Sequence, residues 1–166
     1  MRHKKATMRD VLESQYEMVR SVRQVLLNYC DTVTPAHFTE ETSGFGRGGS
    51  MRNLLVHNGT TYQYWLGRHA LGREMVYPEY TSISTVQECR VFFDTVDVLM
   101  EEFLAHFAAY YTAPITSVKD GKTTVATPLE VFTHVTTHEF HHKGQILSIS
   151  RHLGYIPVDT DIIRER

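Results

Sequence analysis

His138 and His142 lie four residues apart in the run Thr137-His138-Glu139-Phe140-His141-His142-Lys143-Gly144-Gln145. On a helix this spacing stacks two imidazoles on one face, at a separation where both nitrogens can hold a single metal ion. Both occupy core-type positions in the stripe Val131, Val135, His138, His142, Ile146, Ile149, Leu153. An imidazole buried among aliphatic side chains needs a partner for its polar nitrogen, at a cost of about 1–3 kcal/mol if none is found. A shared cation satisfies both rings. A third ligand is expected from another inward stripe, and His57 shares one with Leu54 and Trp65. Three neutral imidazoles leave coordination positions open to water or substrate, the pattern of a catalytic site rather than a closed structural one.

The other histidines read differently. His134, one turn before His138, is placed at the rim of the site, as a supporting group or an alternate ligand. His141, turned about 60° from His138 on the helical wheel, also falls at the rim or in solvent. His3, His37, His69, His106 and His152 carry no spacing signal.

The elements that must position these residues are helical. Leu12, Tyr16, Val19, Val22, Leu26 and Tyr29 recur at helical spacing and predict a first helix from Ala6 to about Cys30. Residues 31–50 lose the period, contain Pro35 and gather Gly44, Gly46, Gly48 and Gly49, which predicts a long loop. Ser50 is a candidate N-cap for a second helix over Met51–Leu71, with the stripe Leu54, His57, Thr61, Trp65 and Gly72 at its end. After Pro78, Ser84 or Thr85 can cap a third helix carrying Phe92, Val96, Leu99, Phe103 and Tyr110, which Pro114 ends. Asp120-Gly121 between β-branched runs predicts a short hairpin or extended loop over Ile115–Ala126. Thr127-Pro128-Leu129-Glu130 then starts a fourth helix with a capping box and proline in the first turn. It runs to about Leu153, with Gly154 at its end. Gly144 inside it costs about 1 kcal/mol relative to alanine, which either a close backbone approach or simple tolerance would explain. The expected fold is all-α: a four-helix bundle forming one domain over residues 1–166.

Composition narrows the function classes. With 42% apolar residues in 166, the chain is long enough to bury a core without staples. A net charge of −2 with scattered basic residues excludes the electrostatic footprint of a nucleic-acid binder. Cys30 and Cys89 are far apart and read as reduced, buried thiols. The basic start Met1-Arg2-His3-Lys4-Lys5 is followed by Arg9, Asp10 and Glu13 rather than an apolar run, so neither a signal peptide nor a membrane span is expected and the address is cytoplasmic.

The stretch Phe132 to Ile146, followed by Leu153-Gly154-Tyr155 and Pro157, resembles the last helix of the DinB/YfiT-like family of metal-dependent bacterial proteins, whose signature is His-x-x-x-His-[Arg/Lys]-Gly-Gln. Leu54-Leu55-Val56-His57, with Trp65 further along the helix, is similar to that family's second-helix ligand segment. The resemblance implies a four-helix bundle, often a homodimer, with a three-histidine site for zinc, nickel or a similar ion. Carried over by position, the ligands fall on His57, His138 and His142. The implied partner is a small-molecule substrate, because members with assigned chemistry include low-molecular-weight thiol S-transferases and a thiol-dependent maleylpyruvate isomerase. The glycine-rich stretch from Gly44 to Gly49 has no place in that pattern.

Three functions stand side by side. The first is a metal-dependent transferase acting on a small thiol. The second is hydrolysis by metal-activated water, including a peptidase in which Glu139 of His-Glu-x-x-His is the general base. The longer peptidase motif needs Gly and His where this chain has Gln145 and Ser148, and Glu165 is its one downstream carboxylate at a tolerable distance for a third ligand. The third is a non-catalytic metal-binding or stress-response module, which a sealed site would favour.

Overall fold

The computed structural model describes residues 6–42, 44–45 and 49–164. Residues 1–5 with His3, Ser43, Gly46 and Gly48 of the glycine-rich stretch, and Glu165 lie outside them. The described chain is mostly helical, with one small two-stranded sheet.

Helix α1, Met8–Cys30, begins later than the apolar period suggests because Thr7 caps it: its hydroxyl accepts the Asp10 N–H, and the Asp10 carboxylate accepts the Thr7 N–H at 2.7 Å. The segment read as a featureless loop contains α2, Pro35–Thr39, capped by Thr34 and anchored by the buried Phe38 ring. Five residues are too few to show a period, so only the Thr-Pro start could have revealed it.

Helix α3, Met51–Tyr62, starts at the Ser50 cap as expected. It continues as a π-helical segment, Gln63–Ala70, before Gly72 turns the chain at φ +66. The expectation of a single inward stripe fails here. Arg52, Asn53, Leu54, Leu55, Val56, Asn58 and Tyr62 are all buried, because α3 packs against α2, α4 and α5 at once. Gly59 is needed for this. A Cβ there would sit 2.2 Å from the Phe92 ring.

A 3₁₀ turn, Tyr80–Ser82, precedes α4, Val86–His106, which the Thr85–Glu88 capping box starts. The helix stops short of Tyr110, which is exposed. Tyr111 folds back instead, buried, and its hydroxyl donates to the Leu104 carbonyl at 2.7 Å. On the inward face Phe93, not Phe92, is fully buried. Strands β1, Ile115–Lys119, and β2, Lys122–Ala126, pair antiparallel through a tight turn with Asp120 at φ 51 and Gly121 at φ 75. Helix α5, Pro128–His152, carries the expected Thr127–Glu130 box and ends before Gly154 at φ +89.

Contacts link α1 with α4 and α5, and α3 with α4 and α5, around a common apolar core. Tyr62, Met100, Phe103, Phe132 and Ile146 are among its fully buried members. Each such side chain contributes about 1.5–3 kcal/mol by leaving water. Both cysteines are free and buried. Among the described residues no helix is long and apolar enough to cross a membrane.

Candidate metal centre

Helix α3 presents His57, and α5 presents His138 and His142 one turn apart. The His138 Nε2 lies 3.1 Å from His57 Nε2 and 3.1 Å from His142 Nε2. One nitrogen from each ring falls within 4.8 Å of the others. Three nitrogens at ~2.0–2.1 Å from one tetrahedral ion stand about 3.3 Å from each other, so the observed spacing fits a divalent cation shared by all three. His142 is buried; His57 and His138 are half-buried and open on one side.

The protonation pattern suits ligation. Gln145 Oε1 sits 2.5 Å from His142 Nδ1, which therefore donates its proton to the amide and leaves the Nε2 lone pair facing the cluster. Burial, then the neighbouring His142 and His57 imidazoles, push His138 down to about 4, so its ring is neutral near pH 7. A neutral imidazole is the ligand form.

The placement of His138 differs from the expected stripe. The buried face of α5 centres on Phe132, Val135, Thr136, Glu139, His142 and Ile146, and His138 stands at its edge. That edge faces a cleft of about 660 Å³, walled by His57, His138, His134, Tyr64, Trp65 and Tyr80 among others. Ligand pockets commonly measure about 300–1,000 Å³. The histidine cluster is not sealed. His134 lies on the rim as anticipated, its ring stacked on His138 at 5.6 Å and edge-on to Trp65 at 4.9 Å. His141 is exposed, with its ring against His142 at 4.9 Å.

Glu139, the candidate base of a peptidase, is committed elsewhere. Its side chain is 7% exposed and accepts Arg23 Nε at 2.7 Å, Arg23 Nη2 at 3.0 Å and the Tyr62 hydroxyl at 2.6 Å. Arg23 Nη1 continues to Asp97 at 2.7 Å, which also accepts the Tyr16 hydroxyl at 2.6 Å. This one network joins α1, α3, α4 and α5. Burial acts to lower the Arg23 pKa, but the Glu139 carboxylate beside it holds the pKa above its ordinary value, so the guanidinium stays charged. Burial and the same carboxylate hold the Tyr62 phenol protonated, as a donor. Sequence reasoning missed Arg23, although it follows Val19 by four residues and precedes Leu26 by three on the inward face of α1.

The remaining histidines have local roles. His69, expected to be unremarkable, is buried and joins the π-helical segment to β1 through Ser117 Oγ, while its ring supports Trp65. His37 Nδ1 meets the Tyr155 hydroxyl at 2.8 Å. His152 Nδ1 donates to the Ser148 carbonyl, and the His106 ring packs on Phe107. At Gly144 an added Cβ would meet nothing within 4 Å, so no close backbone approach demands that glycine.

No protein of curated function matches the chain. The DinB family model, by contrast, matches residues 6–166, nearly the whole length. With that match covering both the α3 and α5 segments that carry the histidine cluster, the chain belongs to the DinB family.

Proposed function

We propose that the protein is a metal-dependent enzyme that transfers a low-molecular-weight thiol to an electrophile, with His57, His138 and His142 as the ligands of a zinc or nickel ion. The observation that carries the reading is the convergence of three imidazole nitrogens on the wall of a cleft large enough for a substrate. A divalent cation held there supplies positive charge that lowers the pKa of a thiol in the cleft. The residues divide the remaining work. Gln145 sets the His142 tautomer, the aromatic wall offers faces for an organic substrate, and His134 lines the cleft beside His138. The thiol S–H loses its proton to solvent, a sulfur–carbon bond forms, and the displaced electron pair goes to the acceptor's leaving group or double bond.

Hydrolysis by a water in the thiol's place uses the same ligands, but Glu139 is unavailable as its base. The open cleft argues against a purely metal-storing module. The scaffold we propose is a four-helix bundle of one domain. We propose a homodimer as well, supported by the exposed Val91 and Val98 two turns apart on α4, and a cytoplasmic address, supported by the buried free thiols.

The test uses protein purified without a histidine tag, loaded with zinc or nickel and incubated with candidate thiols and an electrophilic acceptor. A conjugate that requires the metal and vanishes in His138→Ala is the expected result. Metal-loaded protein that forms no conjugate with any thiol overturns the transferase reading.

A further inference from the structure

The wall of the cleft is rich in aromatic rings. Tyr64 and Trp65 come from the α3 extension, and Tyr77 and Tyr80 from the connection that follows. Flat rings of this kind bind planar or apolar bodies through burial and stacking. Lys119, the last residue of β1, completes the wall, with its Nζ 4.9 Å from the centre of the Tyr64 ring.

Two features set this lysine apart. Among the described residues Lys119 forms no ion pair, as is also true of Arg52, Lys122, Lys143, Arg151 and Arg164, but of these six cations it alone lines the cleft. A two-stranded hairpin is also marginal on its own, yet this one is fastened to the α3 extension through His69 and Ser117, two residues before the lysine. The fastening holds an ammonium over an aromatic face. Cation–π attraction of about 0.5–1 kcal/mol at an exposed site keeps it there without neutralising its charge. Glu79 is the carboxylate on the same wall, so anion selection acts locally, at Lys119, and not through bulk charge.

We propose that the substrate is a carboxylate-bearing thiol with a planar or apolar body, and that Lys119 is the specificity residue that receives its carboxylate. A single ammonium matches a monoanion, where a phosphate dianion calls for more donors or an arginine fork. This deepens the thiol-transfer reading and rests on it for the thiol, but the carboxylate contact stands on Lys119 and the aromatic wall alone.

Trp65 is the chain's one tryptophan, so its emission reports occupancy of the cleft directly. The experiment titrates metal-loaded full-length protein with 4-(mercaptomethyl)benzoate and with the matching carboxamide, following Trp65 emission and calorimetric heat, with metal content measured in the same samples. The acid is expected to bind roughly three- to tenfold more tightly than the amide, the range for a partly exposed charge pair, with the gap narrowing as salt rises. Lys119→Ala should erase the gap, Lys119→Glu reverse it, and Lys119→Arg keep it, all with unchanged amide affinity. Lys119 is exposed on a hairpin, and circular dichroism checks that the variants fold. Equal affinity for acid and amide in the unaltered protein overturns the proposal, as does an equal loss for both ligands in Lys119→Ala. If the protein holds no metal while the Lys119-dependent gap persists, the transferase reading falls and the carboxylate site stands. Metal-dependent transfer with no such gap has the opposite meaning.

Discussion

Two polar clusters meet on α5, one residue apart in sequence, and they are built on opposite principles. Around Glu139 donors and acceptors are matched: Arg23, Tyr62, Tyr16 and Asp97 close a network across four helices, and Arg20 on Asp97 balances the second carboxylate. Around His138 the balance is reversed, with imidazole nitrogens facing each other at 3.1 Å and Gln145 turning a lone pair of His142 inward. A saturated buried network is a structural joint; a convergence of acceptors on an open cleft is a seat for a cation. The His-Glu-x-x-His pattern contains both, and its glutamate and its histidines face different partners here.

Breaking the joint should have the largest effect on folding. Arg23→Ala leaves Glu139 as an uncompensated buried charge, while Asp97 keeps Arg20 as its partner, and is expected to destabilise the protein by about 3–5 kcal/mol in urea denaturation. Glu139→Gln, which keeps the shape, should cost less. Neither change removes a proposed ligand, so whatever protein remains folded should still bind metal.

Breaking the seat should do the reverse. His142→Ala is expected to lose most bound metal by elemental analysis while the metal-free fold persists. His69→Ala should retain its metal, because that ring serves the hairpin. Equal metal content in the two variants would dissolve the distinction between the clusters. Gln145→Leu tests the tautomer argument at finer resolution: removing a group that orients a ligand lowers metal affinity about 10–100-fold, measurable by competition with a chelator.

The smallest expected effect is a pH dependence confined to the seat. His138 ionises near pH 6.5 in the unfolded chain, but burial and its imidazole neighbours hold it at about 4 when folded. The unfolded state therefore binds an extra proton between these values, and metal-free protein should lose stability as pH falls from about 6.5 towards 4. Urea midpoints across that window should slope less in His138→Gln. Metal affinity should fall in the same direction as protons compete for the ligands.

What could be read in the sequence was what local chemistry determines. The Thr127–Glu130 box, the Ser50 cap and the Asp120-Gly121 turn involve neighbours in the chain, and each forms where it was expected. The proximity of His138 and His142 follows from helical spacing, and His57 joins them from the face that was named. Features decided by distant partners were not legible. The π-helical extension of α3, the full burial of that helix and the turning of His138 to the edge of its buried face all depend on what packs around them. Arg23 sat in plain view on an apolar face, but its meaning required Glu139, 116 residues away.

The central claim is that three ring nitrogens, one from α3 and two from α5, hold one ion. X-ray absorption of zinc-loaded protein measures this directly. The account predicts three imidazole nitrogens at about 2.0–2.1 Å in the unaltered protein and two in His57→Ala. A spectrum that His57→Ala leaves unchanged, or one with fewer than three imidazoles at the start, would contradict it.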